Sequence, residues 1–190
     1  MIEYYYSAHS AYAYLGAPRL REIAAAHGET IAHRPFDLMP VVDAVSGGYS
    51  GARTDAHRAY FFEEDMYRWA AYRGLPMQDF RPTHHDEPLA LASGAILASE
   101  DPWAAHWAVL RAHWEDDINV NDPADLERAG LDPAAISRAM DPDIQALFQE
   151  ATMSARARPI FGSPTYIWEG KMFYGQDRLE LLDHALGLRG

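Results

Sequence analysis

The sequence contains no cysteine among its 190 residues. Disulfides, CxxC redox pairs, thiolate nucleophiles and cysteine-ligated zinc are therefore excluded. Basic residues are scarce as well: 16 Lys+Arg stand against 28 Asp+Glu, a formal charge of −12. Binding a phosphate backbone needs clustered Lys and Arg, so no nucleic-acid partner is expected. No apolar run approaches the roughly 18–20 residues of a membrane helix, so no membrane partner is expected either. Met1-Ile2-Glu3 places an acid where a signal peptide carries basic residues followed by an apolar stretch, and the expected location is cytoplasmic. Only 13 glycines rule out a collagen-like chain. What the chain does have is 48% hydrophobic residues, too many for global disorder. A chain this long buries roughly 70% of its unfolded surface, enough for one good core.

The ends read as β-rich and the middle as helical. Ile2 to Tyr6 is β-branched and aromatic, which suits a short strand. Ala11 to Ala26 then reads as a helix, with Tyr14, Leu15, Leu20 and Ile23 on one side and Gly28 as its stop. Ser10 is placed to be its N-cap. Thr30 to Phe36 reads as a second strand, completing a βαβ start. After Pro40 comes the Ser46–Gly51 loop, then a long helix over Thr54–Arg73 closed by Gly74 and Pro76. Residues 77–88 form an extended connection. Helices follow over Leu89–Ser99, Trp103–Trp114, Pro123–Ala129, Pro133–Met140 and Pro142–Arg156, several opening with Pro after Asp. Thr165–Trp168 and Lys171–Tyr174 flank Glu169-Gly170, a hairpin signal, and Asp177–Leu186 is a last helix.

This order, βαβ, helical insert, then ββα, predicts an α/β chain with a thioredoxin-like fold and an inserted all-helical domain. The thioredoxin-like part is 1–40 plus 158–190, and the insert is 41–157. Particular residues carry a more specific likeness. The run Tyr4-Tyr5-Tyr6-Ser7-Ala8-His9-Ser10-Ala11-Tyr12-Ala13-Tyr14-Leu15 resembles the F-D-F-x-S-P-Y-S-Y-L strand–loop–helix of 2-hydroxychromene-2-carboxylate isomerases and kappa-class glutathione transferases. Arg34-Pro35-Phe36, Arg68-Trp69-Ala70, Gly74-Leu75-Pro76, Phe161-Gly162-Ser163-Pro164-Thr165 and Phe173-Tyr174-Gly175-Gln176-Asp177-Arg178-Leu179 continue the match in order. Each alone is unspecific; together they span nearly the whole chain.

The resemblance implies glutathione as cofactor and a site built from three places. Ser10 stands where DsbA-type relatives hold a reactive cysteine, at a helix N-terminus whose N–H groups and dipole favour a bound thiolate. The bland reading makes it an N-cap only. In the family, the residue before a cis-proline, here Ser163 before Pro164, pairs through its backbone with the cysteinyl part of glutathione. Asp177, next to Gln176, corresponds to the acid that helps hold the γ-glutamyl end; alternatively Asp177 and Glu180 form a capping box. The implied reaction is a cis/trans isomerisation with ring opening through a transient glutathione adduct on a small aromatic substrate, in a protein whose family is usually a homodimer. A transferase that conjugates glutathione, or a non-catalytic thioredoxin-fold binding module, are the alternatives.

The chain also departs from the pattern. Ala11 replaces the proline after the serine, and Ser7 replaces an aspartate. Gly47-Gly48 stands for a Gly-Asn, removing an amide that contacts glutathione, and a basic residue on the next helix aligns with His57 or Arg58. Among other candidates, adjacent His84 and His85 beside Asp86 read better as solvated loop residues than as metal ligands, and no metal is expected. His9 could serve as an acid or base near neutral pH, although neighbours at a strand end usually point apart. No G-x-S-x-G elbow and no P-loop is present. Tyr12, Tyr14, Tyr60, Phe61, Trp69 and Trp114 are expected mostly in the core, with a few at a cleft suited to a flat aromatic substrate.

Overall fold

The computed structural model describes residues 1–46, 54–158 and 160–188. Strand β1 (Ile2–Tyr6) leads into α1 (Ala11–Ala26) and β2 (Ile31–Pro35). A run of helices follows: α2 (Leu38–Ser46), α3 (Asp55–Ala59), a π-helical segment (Tyr60–Asp65), α4 (Met66–Arg73), α5 (Ala90–Ala98), α6 (Pro102–Glu115), α7 (Pro123–Arg128), α8 (Pro133–Arg138) and α9 (Pro142–Ala157). The chain closes with β3 (Thr165–Trp168), β4 (Lys171–Tyr174), a 3₁₀ turn (Gln176–Arg178) and α10 (Leu179–Gly187). The sheet order is β2-β1-β3-β4, with β1 parallel to β2 and antiparallel to β3, and β3 antiparallel to β4. This is the thioredoxin-like arrangement.

Local chemistry accounts for most of these elements. Ser10 caps α1, its Oγ accepting from the Ala13 N–H at 3.3 Å. Helices α6, α7, α8 and α9 all begin with Pro after Asp, and the side chains of Asp101, Asp122 and Asp132 cap their first turns while that of Asp141 does not. In the hairpin, Glu169 and Gly170 have φ of 49° and 74°. Two successive left-handed residues match the twist of the flanking strands, and glycine occupies one of them without penalty.

Three elements differ from the sequence expectation. The sequence assigns no element between Pro40 and the Ser46–Gly51 loop, whereas Leu38–Ser46 is helix α2; Pro40 lies in its first turn, where a missing N–H has no helical partner. The expected helix 54–73 is interrupted by the π-helical segment. The last helix starts as a 3₁₀ turn, and Glu180 does not close a capping box with Asp177: its carboxylate is held by Arg19 at 2.8 and 3.0 Å.

Strand β1 is covered on both faces. Ile2, Tyr4 and Tyr6, with Tyr166 and Trp168 of β3, share a core with α1, α5, α6 and α10. Tyr5 and Ile167 point the other way, onto Phe36, Val41, Ala151, Ala155 and Ile160. Helices α2 and α9 thus cover a face of the sheet. The packing therefore crosses the expected divisions at 40/41 and 157/158, since α2 spans the first and α9 lies against the strands it was separated from. Among the described residues no strand lies within 90–155, and no helix is long and apolar enough to cross a membrane.

The core carries an acid-sensitive element. His106 is fully buried, 5.2 and 4.1 Å from the rings of Tyr4 and Tyr6, and neither nitrogen has a partner. Burial, then the nearby His33, holds its pKa well below that of a free imidazole. The unfolded chain therefore protonates first as pH falls below about 6.5, and the stability present above that pH is lost on acidification. His106→Phe removes two unpaired polar atoms at similar volume. It should raise stability at pH 7 by about 1 kcal/mol or more, and make the loss between pH 7 and 5 shallower. Urea unfolding at both pH values checks this; a variant equally acid-sensitive and no more stable would exclude His106 as the cause.

Candidate functional site

The C-terminal end of β1, the N-terminus of α1 and the loop before β3 meet at one end of the sheet. Ser7 donates its N–H to Ser163 Oγ at 2.9 Å, and its carbonyl accepts from the Ser10 N–H at 3.0 Å. Ser10 Oγ in turn donates to the Ser163 carbonyl at 3.4 Å, and the Ser163–Pro164 peptide is cis. Ser10 is 8% exposed, enough to border an open space. Ser7 Oγ, standing where the resembled family has an aspartate, is buried without a partner.

That space is a cleft of two adjoining lobes. The first, about 200 Å³, is bordered by Ser10, Ala11, Ser163 and Leu38 together with Phe61, Phe62, Trp114 and Phe161. The second, about 420 Å³, holds Gln176, Asp177 and Arg178 alongside Tyr60, Asp65 and Trp69. Tyr12, Phe61, Ser163 and Tyr174 border both lobes. The structure therefore places Ser10 and Ser163 together in one lobe and Asp177 and Gln176 in the next, with Ser163 common to the two.

Each group is positioned by a distinct contact. Gln176 is buried, its Oε1 accepting from Arg73 at 3.1 Å. The 3₁₀ turn carrying it lies so close to α1 that a Cβ on Gly16 would sit 2.7 Å from Gln176 Cβ. Asp177 faces the second lobe paired with Arg178. The π-helical segment is tied to α1 by Tyr12, whose hydroxyl donates to Asp65 at 2.9 Å. Partial burial, then that hydrogen bond, raises the Tyr12 pKa. Tyr60 and Phe61, expected mostly in the core, are instead 48% and 36% exposed, because the π-helical turn carries them over the cleft.

The loop histidines also differ from expectation. His85 is not a solvated residue: its ring stacks on His9 at 4.2 Å and donates to or accepts from His113 at 3.0 Å. His9 does not point away from the site, and it borders the first lobe beside Ser10. Reading residues one at a time missed this cluster, whose members come from β1's end, a turn-rich loop and α6. Neither His57 nor Arg58 borders the two lobes, and Gly47-Gly48 lies outside the described residues. Among the described residues no group of three or more His, Asp or Glu is gathered to hold a metal.

The chain belongs to the DsbA-like thioredoxin domain family, whose model matches residues 1–187. With no cysteine it cannot carry out dithiol exchange. Among individual proteins, it is 25% identical to the 2-hydroxychromene-2-carboxylate isomerase of Pseudomonas putida, over 98% of this chain and 94% of that one. It is 26% identical to the enzyme of the same name from Sphingobium xenophagum, over 97% of both. A solved 2-hydroxychromene-2-carboxylate isomerase superposes with a TM-score of 0.83 at 26% identity, covering 98% and 94% of the two chains. A probable DsbA oxidoreductase from Streptomyces coelicolor shares the fold, with a TM-score of 0.73 at 20% identity over 100% and 91%.

The Tyr12–Asp65 bond generates a prediction. Tyr12→Phe should cost about 1 kcal/mol, below the range for a buried hydrogen bond to a charged group because the pair is partly exposed. Amides of the Tyr60–Asp65 segment should exchange faster with solvent in the variant, by about five- to tenfold. Hydrogen exchange resolved by segment measures this; unchanged exchange there would show that Tyr12 does not hold the segment.

Proposed function

We propose that the protein is a glutathione-dependent isomerase acting on 2-hydroxychromene-2-carboxylate or a related hydroxy-aromatic acid. The observation that carries this reading is Ser10, a hydroxyl at the N-terminus of a 16-residue helix, in contact with the Ser163 carbonyl and bordering an aromatic-walled cleft. Support comes from relatives of that name matching almost end to end.

The groups present fit glutathione. The tripeptide carries a thiol at its middle and an ammonium and carboxylate at its γ-glutamyl end. The cleft offers a hydroxyl at a helix N-terminus in one lobe and an adjacent acid and base, Asp177 and Arg178, in the next. When bound, glutathione supplies a thiolate able to add reversibly to a conjugated carbon, making a double bond single for long enough to rotate. Ser10 donates a hydrogen bond to the sulfur, and the first-turn N–H groups of α1 favour its negative charge. Asp177 pairs with the ammonium. Phe61, Phe62, Trp114 and Phe161 take up a flat ring and exclude water. The serine does not itself form a covalent bond; it orients and stabilises.

The test is isomerisation of 2-hydroxychromene-2-carboxylate with and without glutathione, in native protein and in Ser10→Ala. Native turnover should require glutathione. A hydrogen bond to a charged group contributes about 1.5–3 kcal/mol, so Ser10→Ala should be about 10- to 150-fold slower near neutral pH. Its rate should partly recover at higher pH, where the thiol ionises unaided. Because Ser10 also caps α1, stability should fall by about 1 kcal/mol. Glutathione-independent turnover would overturn the cofactor assignment, and an unchanged pH–rate profile would overturn the role of Ser10.

A further inference from the structure

His9, His85 and His113 come from distant parts of the chain and stack in a row beside the first lobe. Ring centroids of His9 and His85 are 4.2 Å apart at an interplanar angle of 16°, and those of His85 and His113 are 5.3 Å apart at 25°. His113 is wholly buried. His9 and His85 border the cleft.

The hydrogen bonds in this row have a direction. His113 Nδ1 lies 3.4 Å from the Ile118 carbonyl, which can only accept, so Nδ1 carries the proton. In a neutral ring His113 Nε2 is then a bare acceptor. It lies 3.0 Å from His85 Nδ1, which must therefore donate. The proton on His85 is thereby committed inward, and its Nε2 is left as a lone pair. His85 Nε2 is not among the sealed side-chain atoms without a partner, and His85 lines both the first lobe and the cavity beside it. The rings are neutral: burial, the largest cause throughout, pushes His9 and His113 down to about 4 and His85 down to about 2. Neighbouring Arg81 acts in the same direction on all three; Asp86 opposes it more weakly at His9 and His85, whereas at His113 the Ile118 carbonyl and then Asp117 oppose burial more strongly than Arg81 adds to it.

A fixed lone pair in an aromatic-walled lobe selects its ligand. It repels carboxylate and carbonyl oxygens and takes a hydroxyl. The geometry points to His85 Nε2 as the acceptor for a phenolic hydroxyl of the ring bound in the first lobe, with His113 and the Ile118 carbonyl positioning it. A ligand carrying both a phenol and a carboxylate is then oriented with the phenol toward His85 and the carboxylate away from it. This rests on reading that lobe as the aromatic substrate's place, but not on glutathione.

The experiment uses two probes that differ only in the hydroxyl, 2-hydroxycinnamate and cinnamate, titrated calorimetrically into the full chain. Native protein should bind 2-hydroxycinnamate about three- to tenfold more tightly. His85→Phe keeps a ring to stack on His9 and should bind both probes equally. His85→Gln keeps an acceptor oxygen and should retain part of the preference. His113→Leu should reduce the preference while leaving cinnamate affinity unchanged, which a general loosening of the fold would not do. Equal affinity of the native protein for both probes, a preference that survives His85→Phe, or binding of neither probe would overturn the inference. The native comparison decides even if His85→Phe fails to fold. Glutathione is titrated separately: a silent glutathione titration beside an intact hydroxyl preference overturns the cofactor reading and supports His85 as the acceptor.

Discussion

Two hydrogen bonds, of 2.9 and 3.4 Å, hold together segments more than 150 residues apart. Ser7 N–H to Ser163 Oγ and Ser10 Oγ to the Ser163 carbonyl join the end of the first strand to the loop before the third. The sheet makes this meeting possible, because β1 lies between β2 and β3 and pairs with both. Everything placed at the cleft hangs on that junction: the capped helix on one side, and on the other the hairpin that delivers Tyr174 and the turn carrying Gln176 and Asp177. The helical middle of the chain supplies walls. It contributes the aromatic π-helical segment, the loop bearing His85, and Trp114, whose indole N–H donates to the His9 carbonyl at 3.0 Å.

The residues that were legible in the sequence are those whose structure is decided locally. Asp-Pro pairs define helix starts through a cap and a fixed φ, and Glu-Gly between two short β-runs defines a tight hairpin. Ser10 was legible for the same reason, as a short polar side chain at the boundary of a strand and a periodic apolar helix. What was not legible depends on long-range packing. Helix α2 depends on packing that draws Val41 into the core with Tyr5 and Phe36. A π-helical turn leaves no period of its own in Tyr60–Asp65, and it is held by a tyrosine from α1. The histidine row has no sequence signature at all, since its members are separated by 76 and 28 residues (85 − 9 and 113 − 85).

The core itself is unusually polar for its depth. Tyr4, Tyr6 and Tyr166 lie fully buried, Tyr4 and Tyr166 with stacked rings 5.3 Å apart. Tyr6 finds a partner in His33 at 3.0 Å, whereas the hydroxyls of Tyr4 and Tyr166 find none. Burying aromatic area stabilises the sheet, while unpaired hydroxyls offset part of that gain. The same trade recurs at Ser7 and His106. In each case the ring or backbone geometry is kept and a polar atom goes unmatched.

The absence of sulfur nucleophiles has a consequence for how such a protein ages. Relatives built on a reactive cysteine can be trapped as mixed disulfides or oxidised beyond repair at the residue that matters most. This chain has no cysteine, and a hydroxyl such as that of Ser10 does not climb the thiol oxidation ladder. The oxidisable atoms that remain belong to methionines, and Met39, Met140 and Met153 are exposed on the surface. Peroxide would reach these first, and it finds no thiol of the chain to attack.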